Sequence, residues 1–234
     1  MEINIQRSNE RGTTELGWLH SRHSFSFGNY YNPKRMNFGL LRVLNDDIVE
    51  PGKGFGTHFH DNMEIVSIVL EGALEHRDSM GSHGIIKECE VQRISAGTGI
   101  SHSEFNHSGK EKVHFLQIWI GPKEMDIKSS YEQKRFDLKK NKLLSIVSGK
   151  KGSKTIYIHQ DSYFYIGNFD KNKIVQCKLN NNKNGVFVFI VSGNIEIENY
   201  KIVMGDSAEI TKTNNLKFKT NEKSEILLIE VPLK

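Results

Sequence analysis

Two pairs of potential metal ligands constrain this chain more than any other feature of its sequence. His58 and His60 are separated by one residue in GKGFGTHFHDNME, and His102 and Glu104 are separated by one residue in SAGTGISHSEFN. Because side chains alternate between the two faces of a β-strand, both members of each pair point the same way if the segments are extended. Two such strands facing one point supply three imidazoles and one carboxylate. The sequence therefore predicts one divalent metal ion held between two strands.

The donor set favours a catalytic centre. Three histidines and a carboxylate suit Fe(II), Mn(II), Ni(II), Cu(II) or Zn(II), and an octahedral ion with these ligands keeps room for substrate or dioxygen. Closed structural zinc sites usually contain cysteine. Here Cys89 and Cys177 lie far apart and form no CxxC pair. We expect them to be unpaired structural thiols, as in proteins of a reducing compartment.

Short strands joined by glycine-rich turns are predicted along most of the chain. The segment EIVSIVLEGALE contains the β-branched run Ile65–Val69 followed by Gly72, which favours strand, turn and strand over a helix. LLRVL and EKVHFLQIWIGP are also predicted strands, whereas NDD at 45–47 is predicted to form a turn. The polar residues 121–142 are predicted to form a linker with a short helix. The number of short strands is typical of an all-β barrel.

An internal repeat divides the chain into two such barrels. VLEGALE matches IVSGNIE, with Gly72 against Gly193, and ECEVQRISA matches MGDSAEITK, with Cys89 against Gly205. We expect an N-terminal domain over residues 1–133 and a C-terminal domain over 134–234. The second half has CKLNNNKN and LKFKT in place of the two ligand pairs, and no histidine follows His159. The metal site is therefore predicted in the first domain alone.

Other polar residues are predicted to play smaller parts. Glu64 shares strand parity with His58 and His60 and is a weaker candidate ligand, and Asn106 is expected to orient a ligand by a hydrogen bond. His20 and His23 are predicted to be structural or pocket-lining. The remaining histidines considered match no ligand spacing and are expected at the surface or in the core: His76, His83, His107 and His114.

Composition excludes several classes of protein. The chain has 234 residues and a net charge of +4, with lysines densest over 134–154. Nucleic-acid binding is not expected, because no helix-turn-helix, zinc-finger or aromatic RNA-binding pattern accompanies the charge. No run of eighteen apolar residues suggests a membrane span. The N-terminal segment lacks the apolar core of an export signal, which predicts a cytoplasmic location.

The motifs resemble those of a known family. The pattern G(x5)HxH(x3)E followed by GxxHxxxN resembles the two cupin motifs, and the cupin fold is a double-stranded β-helix, or jelly-roll, barrel. More narrowly, RGTTELGWLHSRHSFSFGNYYNP, FGLLRVLNDD and AGTGISHSEFNHS resemble the pirin family, a two-cupin family, and its bacterial branch similar to quercetin 2,3-dioxygenases. Three positions differ from the family pattern: Asn37, Phe59 and Cys89.

This resemblance implies a function. The family carries one metal, usually iron, on ligands that correspond to His58, His60, His102 and Glu104. A flavonol such as quercetin would chelate the metal through its 3-hydroxyl and 4-carbonyl oxygens, Glu104 would accept the hydroxyl proton, and O2 would open the central ring. Phe25, Phe27, Met80 and Trp119 are candidate pocket walls. The alternative is a regulatory module that acts through a protein partner, with the basic stretch near the linker as a candidate surface.

Overall fold

The computed structural model describes residues 1–152 and 154–233, which form strands and one short 3₁₀ helix, Ser8–Glu10. The strands are β1 (Glu2–Gln6), β2 (Gly12–Glu15), β3 (Leu19–His23), β4 (Leu41–Val49), β5 (Gly54–His60), β6 (Glu64–Glu71), β7 (Ala73–Asp78), β8 (His83–Lys87), β9 (Glu90–Ser95), β10 (Ile100–Asn106), β11 (Val113–Ile120), β12 (Ser130–Arg135), β13 (Leu144–Ser148), β14 (Ile156–Tyr157), β15 (Tyr163–Phe169), β16 (Ile174–Lys178), β17 (Asn184–Ser192), β18 (Asn194–Ile197), β19 (Tyr200–Val203), β20 (Ser207–Thr211), β21 (Asn215–Thr220) and β22 (Ser224–Pro232).

These strands build two barrels, each from a seven-stranded and a four-stranded sheet. The first barrel combines the order β12-β9-β6-β11-β4-β3-β2 with β5-β10-β7-β8, and the second combines β1-β20-β17-β22-β15-β13-β14 with β16-β21-β18-β19. The N-terminal strand β1 pairs with β20 and so joins the second barrel. The prediction of tandem all-β cupin barrels is confirmed. The boundary at residue 133 stays a prediction.

Packing differs between the two barrel interiors. The interior of the second barrel contains one large apolar cluster, which includes Val188, Phe218 and Leu228. The first barrel has two smaller clusters, one around Phe115 and one around Ile65. A further cluster joins the two large sheets back to back, with the rings of Phe25 and Phe187 5.6 Å apart. The interior of the first barrel therefore has a smaller apolar core than that of the second barrel, and polar side chains occupy part of its space.

Turn chemistry follows the predicted repeat. Gly72 and Gly193 both have positive φ, +81° and +78°, at the equivalent turns between β6 and β7 and between β17 and β18. Cys89 has φ +65° in the turn between β8 and β9, where the repeat places Gly205 at φ +78°. Cys89 therefore occupies a backbone conformation that glycine adopts at lower cost. It lines a cavity different from the one that the histidines line.

Two local predictions were wrong. Residues 121–142 contain no helix; they include β12, which pairs with β9 and extends the large sheet. Asn45, Asp46 and Asp47 do not form a turn but lie in the middle of β4. Their strand conformation is imposed by pairing with β3 and β11 on both sides, which overrides the local preference of these residue types for turns. None of the described residues forms a helix long and apolar enough to cross a membrane.

Candidate metal centre

The candidate ligands lie on two paired strands of the small sheet. β5 and β10 are antiparallel, and His102 lies directly opposite His58. A register shift between His102 and Glu104 places Glu104 opposite Phe55. Such an irregularity re-aims side chains relative to a regular ladder. The strand geometry inferred from the two ligand pairs is thus present.

Three of the four predicted ligands come together. Among the described residues, one ring nitrogen from each of His58, His60 and His102 lies within 4.8 Å of the others. The His58 Nδ1 contacts the carbonyl oxygen of Gly56 at 2.8 Å, which leaves its Nε2 for a ligand. The Nε2 of His102 is buried and has no hydrogen-bond partner within the described chain. A buried, unpaired nitrogen beside two other imidazoles fits a metal ion, because coordination would satisfy it.

The electrostatics keep His60 and His102 neutral. Burial, together with His58 and His76 nearby, lowers the pKa of His102 to about 3. Burial, together with His102 and His58, lowers the pKa of His60 to about 4. At neutral pH both side chains are therefore uncharged and keep a lone pair for a cation.

Asp78 and His76 form a buried chain of contacts that ends at His102 and that we call the relay. The Nε2 of His76 contacts Asp78 at 3.0 Å, and its Nδ1 lies 3.5 Å from the Nδ1 of His102. Burial acts to raise the pKa of Asp78, but hydrogen bonds from His76 and Ser82 outweigh it, so that the pKa is lowered. An ionised Asp78 requires a proton on His76 Nε2, which makes His76 Nδ1 the acceptor for His102 Nδ1–H. The relay therefore leaves the lone pair of His102 on Nε2, the atom that faces no other partner.

We expect His76→Phe to weaken metal binding by about 10- to 100-fold, the usual effect of removing a group that orients a metal ligand. Phenylalanine preserves the stacking on Tyr131, whose ring centroid lies 4.6 Å from that of His76. Affinity is measured by competition with a chelator. His83→Phe, on the exposed neighbouring strand, is the control and should bind normally. Unchanged affinity in the His76 variant would exclude the relay, and total loss would make His76 itself a ligand, since it also lies near His102 and Glu104.

Glu104 is held by three side chains of the opposite sheet. Its Oε1 accepts hydrogen bonds from Gln92 and Ser67, and its Oε2 accepts one from Gln117 at 2.7 Å. Glu104 is not in the three-histidine group; it groups with His76 and His102 instead. Each carboxylate oxygen can accept about two hydrogen bonds. Oε2 therefore keeps a lone pair that could bind an ion.

The donors to Glu104 belong to a continuous row across the large sheet. Adjacent strands pair His23 with Asn45, Asn45 with Gln117, Gln117 with Ser67, and Ser67 with Gln92. We call these five residues the polar row. The Nδ1 of His23 contacts the Oδ1 of Asn45 at 2.8 Å, so the row is linked at this end as well. Cross-strand register, which sequence does not display, is what brings these side chains to one level.

The second barrel has apolar residues where the first has the polar row. Ser67 and Val188 are equivalent, since each lies five residues before its turn glycine. Ser67 pairs with Gln92 and Gln117, whereas Val188 pairs with Ala208 and Leu228.

The ligand positions in the second barrel are also apolar. Asn106 and Thr220 each pair with the residue two positions after the turn glycine, Leu74 and Ile195. Counting back along β10 and β21 from that level aligns Glu104 with Phe218 and His102 with Leu216. Both apolar residues are buried in the second core. This interior is therefore filled by hydrocarbon where the first barrel has its candidate ligands.

A cavity of about 270 Å³ adjoins the histidines. Of the predicted walls, Phe27 and Trp119 line it, and Trp119 stands 4.9 Å from the ring of His60. Phe25 was wrongly predicted as a wall, because it packs between the two large sheets, and Met80 was wrong as well, because it is exposed in a turn. The other apolar walls are Leu16, Leu19 and Phe55. An apolar cavity with a few polar groups suits a small aromatic ligand.

Two further predictions were wrong. Glu64 lies on β6 rather than β5, and its carboxylate accepts hydrogen bonds from Ser95 and from the backbone N–H of His159. The strand parity with His60 is lost because Asn62 between them has φ +45°. Asn106 orients no ligand. Its amide donates to the carbonyl oxygens of Val49 and Glu111 and so fastens the adjoining loop.

The other histidines lie where they were expected. His23 is buried and lines the cavity, and His20 points to the opposite face of β3, where it contacts Glu15. His83 and His107 are exposed beside Glu75. His76 is in the core, as one of the two expectations for it allowed, but its contact with His102 was not foreseen.

Residues of the site that the sequence analysis missed are Asn45, Ser67, Gln92 and Gln117 of the polar row, together with Asp47. At two of these positions a single polar residue interrupts an apolar strand, namely Ser67 in IVSIV and Gln117 in HFLQIWI. An isolated polar residue of inward parity is a usable signal, because burial of such a group requires a partner. Asn45, Asp47 and Gln92 give no such signal, because each has a polar neighbour in the sequence.

Asp47 carries a strongly shifted pKa. Burial raises the pKa of Asp47 to about 7; a hydrogen bond from Ser21 lowers it and the charges of Asp46 and Glu104 raise it. An ordinary aspartate titrates near 3.9. The folded protein therefore binds this proton more tightly than the unfolded chain between these two values. Stability from this group is fully present below about pH 4 and is lost as the pH rises through 7.

We therefore expect Asp47→Asn to gain stability over the wild type as the pH rises. Between pH 5 and pH 8 the difference in unfolding free energy should move by about 2–3 kcal/mol in favour of the variant. Urea unfolding of chelator-treated protein at the two pH values measures it. Glu75→Gln serves as a control at a carboxylate with a lowered pKa. A pH-independent difference for Asp47→Asn would contradict the burial argument.

The fold and the histidine cluster define this chain as a two-cupin protein with a candidate metal centre in its first barrel. Residues 4–120 match the family model described as Pirin, and residues 145–231 match the one described as Quercetinase C-terminal cupin domain. The chain belongs to the pirin family.

Relatives support this assignment along the full length. A protein of Escherichia coli (strain K12) named quercetin 2,3-dioxygenase is 41% identical over 232 residues, covering 98% of this chain and 99% of its own. The crystal structure of bacterial pirin YhhW from Escherichia coli in complex with nickel(II) superposes with a TM-score of 0.93 at 39% identity, covering 99% of both chains. A quercetin 2,3-dioxygenase from Acinetobacter baumannii, at 19% identity and TM-score 0.81, covers 98% of this chain and 79% of its own and shares the fold.

Proposed function

We propose that this chain is a metal-dependent dioxygenase that opens the central ring of a flavonol such as quercetin with O2. The observation that carries the proposal is a cluster of three histidines at the edge of an apolar cavity of about 270 Å³ that the carboxylate of Glu104 also lines. The names of the full-length relatives agree with it.

The metal would be held by His58, His60, His102 and Glu104. When bound, it would act as a Lewis acid that stabilises the deprotonated flavonol and aligns it for oxidation. Fe(II) is our first candidate, with Zn, Ni, Mn and Cu also compatible with this donor set. The nickel(II) complex of the Escherichia coli pirin supports the binding of a divalent ion.

The protein side chains would supply binding and proton transfer. Glu104, the proposed catalytic residue, accepts the proton of the 3-hydroxyl group, as a positioned carboxylate can. Gln92 and Gln117 hold that carboxylate in place through the hydrogen bonds described above. Trp119, Phe27 and Phe55 enclose the aromatic rings and exclude water from the reacting oxygens. A docking role for a protein partner stays a prediction.

Quercetin turnover tests the proposal directly. Iron-loaded protein is mixed with quercetin in air, and the loss of visible absorbance is followed together with oxygen consumption. We expect matched rates of both for the wild type and no more than background for His58→Ala. Chelator-treated protein should become active again on addition of the metal. Equal rates for wild type and variant would exclude this function.

A further inference from the structure

The cavity contains a buried carboxyl group that the proposed ring-opening chemistry does not use. Asp47 is 3% exposed and lines the cavity on the large sheet. Its Oδ1 is buried and accepts no hydrogen bond from any described residue. A buried acceptor without a donor is costly unless a ligand supplies one. This oxygen therefore lacks a donor, although the carboxyl group also has a hydrogen bond from Ser21.

The position of Asp47 relative to Glu104 follows from the register. Asp47 pairs with Phe115 on β11, and Asn45 pairs with Gln117, the donor to Glu104. Trp119, which contacts His60, lies on the other side of Gln117 along the same strand. Asp47 thus lies two residues along β4, or about 7 Å, from the position of Asn45, which is at the height of Glu104. The displacement is in the direction away from Trp119 and His60. A ligand bound at the histidines would reach it with the part remote from them.

Neighbouring polar groups on this wall are already paired. His23 uses one ring nitrogen for Asn45 and the other for Thr14. Gln117 donates to Glu104, and its Oε1 lies 3.0 Å from the hydroxyl of Ser67, whose single proton it shares with Glu104. The barrel does not need an acid at this position either. In the second barrel the pair equivalent to Asp47 and Phe115 is Gly167 on β15 and Ile226 on β22, so that glycine stands in place of the acid. The unpaired carboxyl oxygen of Asp47 is thus a feature of this cavity rather than of the fold.

We propose that Asp47 anchors a hydroxyl group on the part of the flavonol remote from the metal-chelating oxygens. The site then selects polyhydroxylated flavonols over a flavonol that has the chelating hydroxyl alone. This inference rests on the proposed function, since it assumes that the flavonol binds at the histidines. A site built to hydrogen-bond a hydroxyl group rejects the analogue without it far more strongly than an apolar pocket does, because its polar group is left unpaired.

Binding measured without turnover tests the role of Asp47. Metal-loaded protein is titrated under argon with quercetin and with 3-hydroxyflavone, and the dissociation constants are obtained from quenching of tryptophan fluorescence. We expect the wild type to bind quercetin at least about tenfold more tightly than 3-hydroxyflavone. Asp47→Leu should lose this preference, and Asp47→Asn should retain part of it because its amide still hydrogen-bonds a hydroxyl group. Metal content and thermal unfolding are recorded for each variant.

Glu64→Gln is the matched control, because Glu64 is also a buried carboxyl with an unpaired oxygen but does not line the cavity. Its preference for quercetin should equal that of the wild type. An unchanged preference in folded, metal-loaded Asp47→Leu overturns the role of Asp47 while leaving the proposed function in place. Failure of the wild type to bind either flavonol overturns the proposed function, and this inference with it.

Discussion

Replacing His102 with alanine is expected to leave the purified protein with almost no bound metal and to lower quercetin turnover by at least about 1,000-fold. His102 packs against both of the other imidazoles, with its ring centroid 4.4 Å from that of His58 and 5.0 Å from that of His60. It also connects them to the relay through His76. Its loss removes a proposed ligand and also the contact that links the cluster to His76. Elemental analysis and oxygen consumption measure the two effects.

His107→Ala is the control for that experiment. His107 follows the same strand but is exposed and contacts Glu75 on the outer surface of the barrel. It should keep full metal content and turnover. A His102 variant that still holds one ion per chain would show that the metal lies elsewhere.

Glu104→Gln is expected to lower kcat by about 100- to 10,000-fold, the range that a general base contributes, while the histidines retain the metal. The amide is nearly isosteric but brings an N–H₂ group to a place already surrounded by donors. One oxygen position would then face Gln92 or Gln117 with donor against donor, and no base would remain for the hydroxyl proton. The rate is compared at equal metal content.

Ser95→Ala supplies the comparison for Glu104→Gln. It removes a hydrogen bond to Glu64, which is buried on the large sheet but does not line the cavity. The variant should keep a kcat close to that of the wild type. A Glu104→Gln enzyme with normal kcat would remove the carboxylate from the mechanism. Loss of the metal together with kcat would instead identify Glu104 chiefly as a ligand.

Much of the fold could be predicted from the chain because its signals are local. Gly72 and Gly193 mark equivalent turns, and the β-branched run before Gly72 is correctly predicted as a strand. Failures came where tertiary pairing overrode local preference. Asn45 and Asp47 are typical turn residues, yet pairing on both edges of β4 keeps them extended. The polar segment Ser130–Arg135 likewise forms a strand because it pairs with the edge strand β9.

Sequence by itself determined the geometry of the candidate ligand pairs, since alternation along a strand is enough to place His58 with His60, and His102 with Glu104, on one face. It also determined that the second half has no histidine after His159 with which to build the same site. Only the tertiary structure decided what surrounds Glu104 and where Asp47 lies. Those contacts depend on the register of strands far apart in the chain, and register results from the packing of the whole barrel rather than from any one segment.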